Sequence, residues 1–299
     1  MQKCTAFAVV AITGGMIGSA SAIPMVGVTG DNTLIGFDSS NPSLLTFGKP
    51  ISGLAENEVV RGIDYRPTTG ELFALGSFGN LYTLDATGIG SAPAALRFNL
   101  NAAPTLAAAG GLSGSSFGFD FNPQADPLGN PSLRIVSNTG QNLAVNVNTG
   151  AVVVATPTSP HTNAVGQAYT NSAPGGTTAA NPTQQYAIDS NQDRVFLQAF
   201  NAGTLTPVGP LGVDTSSDVG FDIYTPQIGT NIGYATLVPA GGTGSRLYEI
   251  NLGTGAAIDL GQIDGGVLLT SFAVTPIPEP ATLALAALAA PAMLLRRRR

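Results

Sequence analysis

One short line recurs five times along this chain at intervals of roughly fifty residues, and that period constrains the fold more than any other feature. Its first copy is Gly62-Ile63-Asp64-Tyr65-Arg66-Pro67, and its second is Gly118-Phe119-Asp120-Phe121-Asn122-Pro123. A looser copy, Gly166-Gln167-Ala168-Tyr169-Thr170-Asn171, comes third. Gly220-Phe221-Asp222-Ile223-Tyr224-Thr225-Pro226 and Ser271-Phe272-Ala273-Val274-Thr275-Pro276 complete the series. In this alignment Asp64, Asp120, Ala168, Asp222 and Ala273 are equivalent.

Each of the first four copies is followed by three more apolar segments. Gly79-Asn80, Thr139-Gly140, Asn191-Gln192 and Thr254-Gly255 stand between segments as turn formers, because Gly and Asn accept positive φ. Four strands per unit at this period predict the blades of a β-propeller. The fifth copy has only its first strand. Met25–Thr29, Thr33–Asp38 and Leu44–Phe47 at the other end supply the missing three, closing the ring and removing its exposed edges. The expectation is an all-β, five-bladed propeller-like domain over 23–276. A β-sandwich of similar strand count is the alternative, but it has no reason to repeat at five near-equal intervals. Composition agrees: 38 Gly and 21 Pro imply frequent turns, and 10% charged residues is low against the usual figure of about 25%.

Both ends read as processing segments. Lys3, the apolar stretch from Ala6 to Ile17 and the small-x-small site Ala20-Ser21-Ala22 predict a signal peptide cleaved after Ala22. Cleavage removes Cys4, the only cysteine, so the mature chain has neither disulfides nor thiol chemistry. At the other end Pro278-Glu279-Pro280 precedes an apolar run from Ala281 to Leu295 and then four arginines, Arg296 to Arg299. The run is short for a stable span, which usually needs about twenty residues. The arginines favour holding that end on the cytoplasmic side. Without Lys3 and the terminal arginines seven basic residues remain, and without Glu279 seventeen acidic ones, a net charge of −10. Such a body has little with which to neutralise a phosphate backbone, so nucleic acid is not an expected partner.

Those three C-terminal parts, in that order, resemble the PEP-CTERM sorting signal. The resemblance implies recognition of 277–299 by an exosortase-type membrane protease after signal peptidase has acted. It also implies transient membrane anchoring through the tail alone and release of the body to the cell surface or exterior. A plain tail anchor would likewise leave the body outside. A second resemblance covers nearly the whole mature chain: Leu34–Asp38, Gly62–Pro67 with Gly70–Tyr82, Phe117–Pro123, Arg134–Asn142 and Phe221–Ile223 are similar to the bacterial domain of unknown function 4394. That resemblance implies a β-propeller-like fold and no particular reaction.

Catalytic constellations are hard to find. His161 is the only histidine, and Gly114-Ser115-Ser116-Phe117-Gly118 fits the G-x-S-x-G pattern only in letters. A nucleophile elbow needs a strand before the serine and a helix after it, whereas here a Gly/Ser loop precedes and an apolar strand follows. With one His and no mature Cys, a structural or His-rich zinc site is excluded. Calcium takes oxygen ligands, and Asp189-Ser190-Asn191-Gln192-Asp193 begins like an EF-hand loop. Arg194 and Phe200 then stand where the turn Gly and the bidentate Glu belong, so a hairpin turn is expected. Asp214 and Asp218 read as a solvated loop between blades.

The positional candidates are Asp64, Asp120 and Asp222, which the repeat would bring toward one axis, with Arg66 beside them as a donor. Such carboxylates raise one another's pKa unless a cation or donors compensate, so calcium is a conceivable occupant. The favoured reading is structural: each Asp accepts backbone N–H groups and pins one blade to the next. The functional expectation is a non-enzymatic binding or scaffold propeller of the extracellular matrix, with exopolysaccharide or matrix proteins as partners and no obligatory cofactor. The alternative is a metal-dependent extracellular hydrolase or lyase with its site in the central channel. A glycosidase is disfavoured because the chain lacks Trp for stacking on sugars.

Overall fold

The computed structural model describes residues 22–173 and 177–276. It contains twenty strands. They run β1 (Pro24–Thr29), β2 (Thr33–Asp38), β3 (Phe47–Ser52), β4 (Val60–Tyr65), β5 (Leu72–Gly76), β6 (Asn80–Leu84) and β7 (Ala92–Asn99). After a short helix α1 (Pro104–Ala108) come β8 (Phe117–Asn122), β9 (Ser132–Ser137), β10 (Asn142–Val145) and β11 (Val152–Val154). Then follow β12 (Ala164–Tyr169), β13 (Gln185–Asp189), β14 (Arg194–Gln198) and β15 (Leu205–Pro210). The last are β16 (Gly220–Gln227), β17 (Thr230–Leu237), β18 (Arg246–Ile250), β19 (Ala257–Gln262) and β20 (Leu269–Val274).

Strands β4–β7, β8–β11, β12–β15 and β16–β19 form four antiparallel blades, and β20 pairs with β1, β2 and β3 to make the fifth. The ring is therefore a five-bladed propeller closed by strands from both ends of the body. The five repeat lines fall on the innermost strands β4, β8, β12, β16 and β20, each packed against the next around the axis. Gly79, Gly140 and Gly255 do adopt positive φ in their hairpins, at 80°, 81° and 80°. At the Asn191-Gln192 turn it is Asp193 that does so, at 47°.

One expected strand is displaced. The third strand of the fifth blade is Phe47–Ser52 rather than Leu44–Phe47. Asn41 to Thr46 turn the chain, and Phe47, Lys49 and Ile51 are half-buried while Gly48, Pro50 and Ser52 face solvent. An outer strand needs only this weak alternation, so the more apolar residues before it were a misleading cue. Its end also pairs in parallel with β7, Ile51 opposite Ala92 and Ser52 opposite Pro93. The last blade and the first are thus joined at their outer edges as one eight-stranded sheet.

The core is a set of inter-blade layers. The layer between the first two blades is apolar, with Phe73 and Phe121 edge to face at 5.2 Å. The layers between blades three and four, four and five, and five and one are similarly apolar. The layer between blades two and three has only Val136, Ala164, Ala187, Phe196 and Leu205 as its apolar cluster. Buried polar side chains fill the rest.

Candidate functional site

An innermost strand pairs on one side only, so alternate backbone N–H groups point at the axis and need acceptors. The equivalent residues Tyr65, Phe121, Tyr169, Ile223 and Val274 present five such groups. Asp64 accepts from its own Tyr65 N–H through Oδ1 (2.7 Å) and from Phe121 N–H of the next blade through Oδ2 (2.9 Å). Asp120 Oδ2 accepts from Tyr169 N–H of the next blade at 3.0 Å. Asp222 accepts from its own Ile223 N–H through Oδ1 and from Val274 N–H through Oδ2, both at 2.6 Å. Every one of the five donors is satisfied.

The distribution follows the repeat. Where the preceding blade carries Asp, that carboxylate reaches forward. Where it carries Ala168 or Ala273, the following blade's own Asp turns back onto its neighbouring N–H. The fifth-to-first junction has an additional pin two residues earlier: Ser271 Oγ accepts from Ile63 N–H at 2.9 Å. The other copies have Gly there because the next blade leaves no room. A Cβ on Gly62 would stand 2.8 Å from Cβ of Phe119, and one on Gly220 2.7 Å from Cβ of Phe272.

The three carboxyls are 6%, 2% and 7% exposed at Asp64, Asp120 and Asp222. Burial pushes all three up, because it penalises the charged form. Asp222 rises to about 6, held back by the Val274 and Ile223 N–H bonds. Asp64 and Asp120 rise well above the ordinary carboxylate range, from burial first and then from the negative charge of their neighbours. A cavity of about 100 Å³ caps the axis beside them, lined by Asp64, Asp222, Tyr65, Tyr224, Thr225 and Thr275 among others.

Arg66 does not join this cluster. It leaves the axis to make a charged pair with Asp126, Nη2 to Oδ1 at 2.7 Å and Nε at 3.0 and 3.1 Å, and also donates to Asn148. Arg66 is the first residue past the end of β4, and its long side chain reaches the second blade's loops instead. At the axis five of the six carboxylate oxygens accept backbone N–H groups. Among the described residues no set of three or more His, Cys, Asp or Glu side chains is arranged to hold a metal ion.

The remaining candidates have structural surroundings. Ser116 leads directly into β8, and no helix follows it. His161 packs on Phe196, 5.4 Å between ring centroids. Asp189 Oδ1 accepts from Asn191 and Gln192 N–H (2.9 and 3.0 Å), which closes the β13–β14 hairpin. Asp214 is exposed and Asp218 half-buried in the loop before β16. Ala22 is described and exposed, while Ala20 and the Pro278-Glu279-Pro280 motif lie outside the described residues.

Sequence reasoning had not singled out Arg134, which is 2% exposed between blades two and three. It sits opposite Asp120 on β9, where other blades have Phe73, Tyr186, Tyr234 and Val26. Its guanidinium donates to the Tyr169 hydroxyl (3.2 Å), Asn142 Oδ1 (2.9 Å) and Asn201 Oδ1 (2.9 Å). Gln167, Gln185 and Gln198 continue the network. The signal was available: Leu133-Arg134-Ile135-Val136 places a charge in an otherwise apolar strand.

No curated protein matches the chain. Among solved structures, a nidogen/laminin complex is similar with a TM-score of 0.46 and 8% identity, over 85% of this chain and 98% of that one. A structural genomics protein of unknown function from Bacteroides thetaiotaomicron VPI-5482 is similar with a TM-score of 0.46 and 12% identity, over 86% of this chain and 66% of that one. The model of the family described as Domain of unknown function (DUF4394) matches residues 33–273, from the second strand of the closing blade to its last. The chain therefore belongs to the domain of unknown function 4394 family.

Proposed function

We propose that the chain is an exported, non-enzymatic binding propeller of the cell surface or extracellular matrix. The observation that carries this reading is the use made of the axis. The three carboxylates that the repeat gathers at the axis are spent on backbone N–H groups that pin the blades together. Groups buried and committed to the backbone in this way are poorly placed to meet a substrate. What remains for function is the surface of a rigid ring. The body's net charge of −10 after processing favours neutral or cationic partners over polyanions. A neutral extracellular polysaccharide of the producing cell, or a matrix protein, is the partner class of this proposal.

Export rests on the two processing segments read from the sequence, with signal peptidase acting after Ala22 and an exosortase-type protease acting near Pro278-Glu279-Pro280. Mass spectrometry of the protein recovered from culture tests this directly, and a mature chain still carrying Arg296–Arg299 would overturn the sorting reading. Binding is tested by incubating residues 23–276 with insoluble polymer from the same cells and measuring depletion from the supernatant. Depletion that saturates supports the proposal. Release of reducing ends from the polymer, without retention of the protein, would replace it with the hydrolase alternative.

A further inference from the structure

The hub has six carboxylate oxygens and five backbone donors. Asp64 and Asp222 each use both oxygens, whereas Asp120 uses only Oδ2. Asp64 Oδ2 takes its hydrogen from Phe121, the residue next to Asp120, so the two buried carboxyls are neighbours, and the charge of Asp64 raises Asp120. Two ionised carboxylates cannot share such a site inside a protein without a cation or a proton between them. Opposite the three aspartates on the second strands stand Phe73, Arg134 and Tyr234. Tyr65 and Tyr169 flank them on the inner strands, while β20 contributes only Ala273 and Val274 at this level. Burial raises all three tyrosines, with Tyr169 and Tyr234 reaching about 12, so their hydroxyls stay neutral. Arg134 is the cation at this level among the described residues, and its guanidinium is engaged by the Tyr169 hydroxyl, Asn142 and Asn201.

We propose that the hub is a proton-linked latch, in which Asp120 carries a proton on Oδ1 and donates it to Asp64, and loss of that proton in alkaline medium loosens the junction of the first two blades. The assignment of the proton to Asp120 follows from acceptor counting. Asp64 needs both oxygens for Tyr65 and Phe121, and only Asp120 has an oxygen to spare.

The linkage has a definite sign. Carboxyls whose folded pKa exceeds the unfolded value, about 3.9, make the folded state bind more protons. Their contribution is fully present below the unfolded value and is lost as pH rises through the folded one. With Asp222 at about 6 and the other two also raised well above normal, the loss begins near pH 4 and proceeds as pH rises through the folded values. Asp31, Asp38, Asp85 and Asp126 are shifted the other way and act below that window.

The test is thermal unfolding of residues 23–276, which contain all five blades, at about pH 5 and pH 8. Asp120→Asn mimics the protonated state, with its amide donating to Asp64 and its oxygen still accepting from Tyr169. It is expected to match the wild type at the lower pH and to melt several degrees higher at the upper one. Asp64→Asn and Asp222→Asn turn an NH2 toward a backbone N–H and are expected to melt lower at both. An infrared band from a protonated carboxyl should be visible in the wild type at neutral pH and weakened in Asp120→Asn. The latch is refuted if Asp120→Asn is as damaging as the other two, if the alkaline loss persists in it undiminished, or if the wild type shows no such band.

Discussion

Gly118 offers the sharpest test of how the blades are seated. It lies on β8, two residues before Asp120, where four of the five repeat lines have glycine. A Cβ added there would stand 2.8 Å from both the Cβ and the backbone nitrogen of Gln167, and closer still to its Cγ. Gln167 cannot swing aside cheaply, since it is wholly buried and its amide is bonded to Ala164, Gln185 and Gln198. Gly118→Ala gains about 0.4–1 kcal/mol by stiffening the unfolded chain. Overpacking a rigid interior costs about 1–3 kcal/mol, and contact with backbone places this site toward the upper end. A net loss of about 1–2 kcal/mol is expected, equivalent to a melting shift of about 2–8 °C for a body of this size. Gly48→Ala is the control, on the exposed outer strand β3 with nothing within 4 Å of the added carbon. It should be neutral or slightly stabilising. Urea denaturation of the two variants beside the wild type decides the matter. A loss under about 0.5 kcal/mol at Gly118, within the range of ordinary surface substitutions, would show that the inner strands are not seated as tightly as their glycines imply.

Other perturbations probe separate junctions. Ser271→Ala removes the acceptor for Ile63 N–H where the ring closes, and leaving that donor buried is expected to cost about 1–3 kcal/mol in urea denaturation. Arg134→Leu leaves the buried Asn142 Oδ1 without its donor, while Tyr169 keeps its bond to Gln185, and should cost about 1–3 kcal/mol; a neutral result would mean that the polar layer between blades two and three is dispensable. Burial works to raise the Asp126 carboxyl, but the Arg66 and Thr68 bonds outweigh it and hold the group below its ordinary value. Arg66→Ala should therefore lower the melting temperature at neutral pH, and the deficit should shrink as pH falls through the Asp126 value, because a depressed carboxylate stabilises only while ionised. Millimolar calcium added after chelator treatment should leave the melting temperature unchanged, since a ligand raises it only by binding the folded state, and a clear rise would mean that the axial oxygens are less fully committed than their bonds indicate.

Much of this architecture can be read from the inner strands alone. They recur because they meet the same demands five times: a residue small enough for the neighbouring strand, an apolar anchor, an acceptor for an axial N–H. Asp64, Asp120 and Asp222 announce both the period and their role as pins. The outer strands meet weaker demands. Phe47–Ser52 needs only half-burial on one face, so its apolar pattern is faint and its neighbour Leu44, 64% exposed, draws the eye instead. Partners brought together from unrelated loops leave no local trace at all. Nothing near Arg66 points to Asp126, sixty residues on, because the pair depends on how the second blade's loop folds back.

The unequal composition of the five lines follows from the same geometry. Five axial donors require five acceptor oxygens, and three carboxylates supply six. A ring with Asp in all five lines would place ten oxygens around five donors, crowding surplus negative charge into a space with no cation to balance it. A ring with two aspartates would leave one donor unpaired in the interior, at a cost of about 1–3 kcal/mol. Three is the smallest number that serves every donor. Ala168 and Ala273 are therefore part of the device rather than decayed copies of it, because each lets the aspartate of the following blade fold back on its own strand. Every axial donor is served by this arrangement, with one oxygen, Asp120 Oδ1, left over.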